Sequence, residues 1–380
     1  MAKIDWRIYS LATSEYITSK VLSMNIGFGR ERYLDTYSGN LLTFTINNAG
    51  DYASSLTYGS VIRVSTFTNS VQDFYQIFWI QNIDFNDTPG DQGLNTATIT
   101  CADWVSRSGR IQAQALSLDE EKVTTQWRKF NYSFSGTLPS DMVLSHSKAA
   151  QSTASAIVYT GTVASYINQA VVTERGYLVT YGNTLQLIAR DDVATYTPIT
   201  ITLGRTSTAS QIGYQQFDRI QNGLQFINTA TIQSAGIADQ TAVNSASVAS
   251  VGPGYYSSTT VDFSTTQALG NASWIANNFS NLTSLYFKCS FSDRSQNKTA
   301  LDSLISQLFF NSGTNRILNL AYQVPGGSLT TVKVVLEKYE FNVTPQQTDI
   351  TFTMSPLTYY QFFTLDSTTL GILNTSRLGW

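Results

Sequence analysis

Charge is scarce in this chain. Asp, Glu, Lys and Arg together make up 13% of its 380 residues, about half the roughly 25% usual for soluble domains. The polar balance is Ser, Thr, Asn and Gln, which suits a surface covered by neighbours or one working outside the cell. With 23 basic and 26 acidic residues the net charge is −3, so the sequence has no electrostatic footprint for nucleic acid.

Cysteine is nearly absent too. Cys101 and Cys289 lie 188 positions apart, too few and too distant for a disulfide framework or a zinc site. Cys101 sits in TATITCADW in phase with Ala97 and Ile99, which predicts a buried thiol. No apolar run approaches the roughly 20 residues of a membrane-spanning helix. The opening MAKIDWRIYS has no signal-peptide core, so export, if it occurs, is expected to use another route.

The sequence is equally poor in catalytic constellations. Its one histidine, His146 in LSHSKAA, has no G-x-S-x-G elbow or oxyanion loop to accompany it and reads as an exposed loop residue. Neither cysteine lies in a glycine-rich or helix-start context that would activate it. Paired carboxylates run glycoside hydrolysis, but the two acidic runs read otherwise. Asp119-Glu120-Glu121 precedes Lys122, Arg128 and Lys129 and reads as a solvated face, while Asp191-Asp192 follows a strand and reads as a turn. GFGR lacks the second half of a phosphate loop and a following helix. The N-x-S/T triplets at Asn271, Asn278 and Asn281 are expected by chance in so Asn-, Ser- and Thr-rich a chain. The expectation is a protein that is not an enzyme and holds no cofactor or metal.

What is present is β-structure. Aromatics reach 12%, with 21 Tyr and 20 Phe, suited to packing on pleated surfaces and to half-wet interfaces. The run Gly27–Gly50 sets the pattern. A glycine-broken basic turn (Gly27, Gly29, Arg30, Arg32) is expected to feed a strand and then the Ser38-Gly39 turn, after which LLTFTIN places Leu42, Phe44 and Ile46 on one face. That alternation marks a strand with one buried side. Residues 1–115 repeat such strands through FYQIFWIQNIDF and NTATITCADW, with a hairpin loop at Asn86–Asp91, and predict an antiparallel barrel or sandwich.

Further on, 116–160 reads as an irregular connection with short elements. TVASYINQAVV (162–172) predicts a helix, followed by the hairpin strands GYLVTYG and TLQLIARDD, giving a small α+β unit over 160–205. FDRIQNGLQFINTATIQSAG (217–236) reads as a helical turn or loop leading into a strand, and a Gly- and Ser-rich stretch runs through Gly252-Pro253-Gly254. Helices are predicted at 265–279 and 299–309. In VKVVLEKYEFNV the apolar phase flips from Val332, Val334 and Leu336 to Tyr339, Phe341 and Val343, which predicts a β-bulge at Glu337-Lys338. ITFTMS then forms a last strand, ended by Pro356.

Four segments, in this order, resemble the tail hub and minor tail proteins of bacteriophages: GRERYLDTYSGNLLTFTINNAGDY (29–52), FYQIFWIQNIDF with TATITCADW (74–85 and 96–104), ERGYLVTYGNTLQLIARDD with FINTATIQ (174–192 and 226–233), and DITFTMSPLTYYQFFTLDSTTLGILNTSRLGW (349–380). The resemblance rests on pattern and order along the chain, and the polar 236–300 region has no match in it. It implies a mainly β fold with some α+β. Two antiparallel β-barrel-like domains, 1–115 and 206–380 with a helical insertion around 265–310, would flank a mixed α/β region at 116–205. It also implies a structural virion protein made in the host cytoplasm, joining a hexameric tail tube to the tip and forming part of the DNA channel without specific binding. A homotrimer is expected, with a hexameric distal tail ring as the alternative and a secreted carbohydrate-binding or adhesin module third. Other tail proteins are the expected partners. Arg30, Arg32, Arg377 and Trp380 are the expected subunit contacts, the last two with Leu378 buried against a neighbour or the chain's own barrel.

Overall fold

The computed structural model describes residues 4–47, 50, 55–68, 71–86, 95–133, 143–146, 152–182, 184–221, 226–280, 285–309 and 315–360. The first lobe is built from strands Val21–Gly29, Leu41–Asn47, Thr96–Ala102, Val71–Asn86, Val61–Thr68 and Asp5–Ser10, each antiparallel to the next in that order. Alternation decides the faces. Met24, Ile26, Phe28, Leu42, Phe44, Ile46, Ala97, Ile99 and Cys101 are all buried, and Ile26, Leu42 and Cys101 stand opposite one another across three strands. The buried Cys101 thiol is pushed up by desolvation, as the in-phase cysteine predicted. The strand Val71–Asn86 enters the expected hairpin; the loop residues 87–91 lie outside the described residues.

The second lobe takes strands Gln216–Gln221, Leu285–Ser292, Thr348–Pro356, Leu329–Val343, Ile317–Gln323, Thr202–Gly204 and Gln211–Gly213. It is not separate from the first. The 15-residue strand Leu329–Val343 pairs with Ile317–Gln323 up to Val335 and with Val21–Gly29 from Lys338 onward. Its other edge pairs with Thr348–Pro356, and that ladder slips between Leu336 and Lys338. The predicted bulge is present, and it marks the point where one neighbour gives way to the other. Tyr339 and Phe341 thereby stay buried in phase with Ile350 and Phe352 of the next strand.

Two antiparallel barrel-like domains were expected; the strands of both lobes join in one 14-stranded sheet, with no closed barrel among the described residues. Nor is it purely antiparallel, because Thr202–Gly204 runs parallel to both of its neighbours.

Helices and small sheets fill the space between. Helix Val163–Glu174 starts at Thr162, whose side chain accepts from Ser165 N, and ends at Arg175 in the left-handed region (φ 55°). Such caps satisfy end groups the helix cannot pair itself. Strands Tyr177–Tyr181 and Thr184–Ile188 form the predicted hairpin, extended in parallel by Val143–His146. Helices Thr265–Asn278 and Lys298–Phe309 lie within a residue of their predicted limits. Helix Thr265–Asn278 packs on a small sheet, Thr229–Ser234 between Gln240–Val243 and Tyr255–Thr260.

Other elements depart from the sequence reading. Gln216–Gln221 is an edge strand where a helical turn or loop was expected. Asp191-Asp192 lies in helix Arg190–Thr195 instead of a turn. Helix Val123–Ser133 occupies the weakly patterned connection, and helix Ser245–Val251 the Gly- and Ser-rich stretch.

Candidate subunit contacts and the buried junction beneath them

The basic turn that ends strand Val21–Gly29 is held from inside the molecule. Gly29 has φ +122°, and a Cβ there would lie 1.9 Å from the Glu337 carbonyl oxygen, so only glycine fits. Arg30 N donates to that carbonyl at 3.1 Å. The Arg30 side chain turns inward: Nε donates to Glu337 Oε2 at 2.9 Å, and Nη2 to Tyr360 OH at 2.9 Å and to the Gly176 carbonyl at 3.3 Å. Tyr360 OH donates in turn to Glu337 Oε1 at 2.7 Å, so both carboxylate oxygens are engaged. Burial pulls the Arg30 guanidinium down, but Tyr37, Glu337, Tyr360 and Tyr33 outweigh it and its net shift is upward.

Arg30 is 4% exposed. The expectation that it meets a neighbouring chain is therefore corrected: its hydrogen-bond partners are Glu337, Tyr360 and Gly176 of its own chain. Arg32 remains on the surface, half-buried, with Nε donating to Asp35 Oδ2 at 2.9 Å. Arg377 and Trp380 lie outside the described residues.

The rest of the turn is clamped to the inserted region. Tyr33 OH donates to the Arg175 carbonyl at 3.0 Å, and Tyr37 OH accepts from Leu178 N at 3.1 Å. Asn168 binds the Tyr37 backbone on both sides, accepting from its N–H at 2.7 Å and donating to its carbonyl at 3.0 Å. The Tyr33 and Tyr360 rings meet edge to face at 4.7 Å. Glu337 and Tyr360, at the centre of this junction, were not singled out by sequence. The phase flip marked Glu337 only as a bulge, and nothing in the local pattern marked Tyr360. A second unforeseen carboxylate is Asp293. Its oxygens accept from Ile4 N at 3.2 Å and Thr348 N at 3.1 Å, tying the first strand to the second lobe.

One row of the outward face of the shared sheet is polar, and Lys338, Glu340 and Asp84 flank it. Asp349, Asn342, Asn25, Thr43, Thr100 and Asn82 stand opposite one another across six strands. The acidic run at Asp119–Glu121 forms ion pairs with Lys129 at the surface. Among the described residues no group of three His, Cys, Asp or Glu is placed to hold a metal ion, and no helix is long and apolar enough to cross a membrane.

No family model matches the chain, and no curated protein matches it by sequence. Solved structures do match it in shape, from end to end. The 43 kDa tail protein of prophage MuSo2 from Shewanella oneidensis superposes with a TM-score of 0.58 at 8% identity, covering 95% of this chain and 98% of that one. The chain has the fold of a phage tail protein. A tail protein from Neisseria meningitidis MC58 matches with a TM-score of 0.60 at 10% identity, over 92% of this chain and 96% of that one. Coverage this complete on both sides means that the tail-protein fold includes both lobes and the inserted region between them.

Proposed function

We propose that the chain is a structural protein of a phage tail, carried in the virion and placed at the tail tip as a hub. The observation that carries this reading is the end-to-end fold match to two tail proteins, one of them from a prophage, with more than nine-tenths of each chain covered. Three copies would join a hexameric tube or distal tail protein to the tip or fibre proteins beyond it. Two sheet lobes on one long strand support the hub assignment, since a trimer of two-lobed chains can present six units to a sixfold partner. The largely uncharged polar row that crosses six strands of the sheet supports a wall along which DNA moves without being held. The role is assembly, with no catalytic step and no cofactor.

Symmetry determination of the native assembly by electron microscopy tests this directly. Threefold copies arranged with pseudo-sixfold lobes are expected. True sixfold symmetry would instead assign the chain to a distal tail ring. A stable monomer that binds glycans would overturn both in favour of a secreted adhesin module.

A further inference from the structure

Two arginines stand together without an acid at one end of the shared sheet. Helix Trp104–Ser108 follows strand Thr96–Ala102 directly and carries Arg107, with Arg110 just past its end. Arg7, Arg30, Arg32 and Arg190 each lie within 4.0 Å of a carboxylate oxygen. Among the described residues neither Arg107 nor Arg110 has an ion pair, and neither guanidinium donates a hydrogen bond.

Arg107 is nevertheless held in place. Its guanidinium carbon lies over the Trp79 ring, 4.8 Å from the centroid. Leu41, Ala102 and Trp79 stand opposite one another across three strands, and Thr43 and Thr100 of the polar row lie two residues further along. Trp79 thus belongs to the outward face, yet it is buried. Below the arginines, Arg107 N donates to the Asp103 carbonyl at 3.1 Å and Arg110 N to the Arg107 carbonyl at 3.0 Å. The turn that carries Tyr58 docks beside Trp79: Gly59 N donates to the Ile80 carbonyl at 2.8 Å, and Ile80 N to the Ser60 carbonyl at 2.9 Å. Tyr58 itself is 69% exposed. Burial lowers the Arg107 guanidinium from its ordinary value, Tyr58 pulls it up, and the charge of Arg110 adds to the lowering. Two cations that repel each other and a phenol therefore converge on one spot.

A guanidinium lying over an indole keeps its in-plane N–H groups available to an anion. A lone carboxylate would offset half of the charge here and is satisfied by one arginine fork. A phosphate carries about −1.5 to −2 at neutral pH and has oxygens enough for both forks. We infer that Arg107 and Arg110 bind a phosphate group, with the Tyr58 hydroxyl as a further donor. Free phosphate esters and the phosphodiester backbone of DNA share that chemistry.

The test follows the phosphorus NMR line of inorganic phosphate, with and without protein, at constant ionic strength. The wild type is expected to broaden it. Arg107→Gln and Arg110→Gln are each expected to weaken binding about 10-fold, as for a lost hydrogen bond between charged groups. Thermal melts establish folding, and Arg110, being exposed, gives an informative variant even if Arg107→Gln does not fold. No broadening by the wild type, or broadening unchanged in the variants, overturns the inference. Displacement of phosphate by an equal concentration of the dicarboxylate glutarate also overturns it, and assigns the arginines to acidic side chains of a partner protein. Fluorescence anisotropy of a short labelled DNA duplex separates the two sources. A signal lost in the variants identifies a phosphodiester; no signal beside phosphate broadening identifies a free phosphate ester, and either supports the site. Every outcome leaves the fold match, and with it the tail reading, standing.

Discussion

Arg30 and Glu337 stand 307 positions apart in the chain and are both sealed from water. A charge left alone in such a place is far costlier than the pair. Arg30→Met is therefore expected to destabilise the protein by about 3–5 kcal/mol, and Arg30→Met with Glu337→Gln to recover at least half of that, because the second change removes the uncompensated charge. Urea denaturation of the three proteins gives the comparison; equal losses in the single and double variants would show that packing, not charge, sets the cost. At this scale the sequence is legible only where a residue's role is local. Gly29 announces a turn by its type, and Cys101 announces burial by its phase. Arg30 reads as a surface residue because a basic side chain in a glycine-rich turn is normally solvated, and its acid comes from a strand 307 residues away.

Elements were more legible than residues, since period-two alternation and helix caps are written in contiguous sequence. The first-lobe strands, the hairpin after helix Val163–Glu174 and the helices at 265–278 and 298–309 follow from such patterns. Those that were missed lack them. Gln216–Gln221 is largely exposed, so it carries no buried alternation, and helix Ser245–Val251 has no buried residue to set a stripe. One short element carries a pH signature. Asp103 caps helix Trp104–Ser108, its Oδ1 accepting from Ser106 N at 2.9 Å and its Oδ2 from the Asn40 amide. Burial pushes its carboxyl up to about 6, against hydrogen bonds that pull it down. The protonated form is thus favoured by folding. Its contribution is complete below the ordinary carboxylate pKa near 3.9 and is lost as pH rises through about 6, some 3 kcal/mol in all. Asp103→Asn keeps a capping oxygen and cannot ionise. It is expected to gain on the wild type between pH 4 and 7 by up to about 3 kcal/mol, read from urea midpoints across that range. A constant difference would place the titration elsewhere.

For the whole molecule, mainly β structure with a helical insertion was visible in the sequence, but the joining of its lobes was not. A strand's pattern tells which face is buried and says little about which strand lies beside it. The long strand reads as one more antiparallel element, yet it changes partners at Glu337 and fuses the two lobes into one sheet. Among the described residues, nearly all the buried apolar side chains likewise belong to one cluster running from Ile4 to Tyr360. Unfolding is accordingly expected to be one transition, with calorimetric and van't Hoff enthalpies in agreement. Two resolved heat-absorption peaks would show that the lobes unfold independently despite their shared strand.

The shared strand also sets a clock on synthesis. Val21–Gly29 needs Lys338–Val343 as its edge partner, and the ribosome delivers that partner some 300 residues later. At about 5–20 residues per second the wait is roughly 15–60 s. Until then a first lobe folded on the ribosome would carry a bare strand edge able to pair with another extended chain, so slower elongation is expected to lower the fraction of chains recovered in the native sheet.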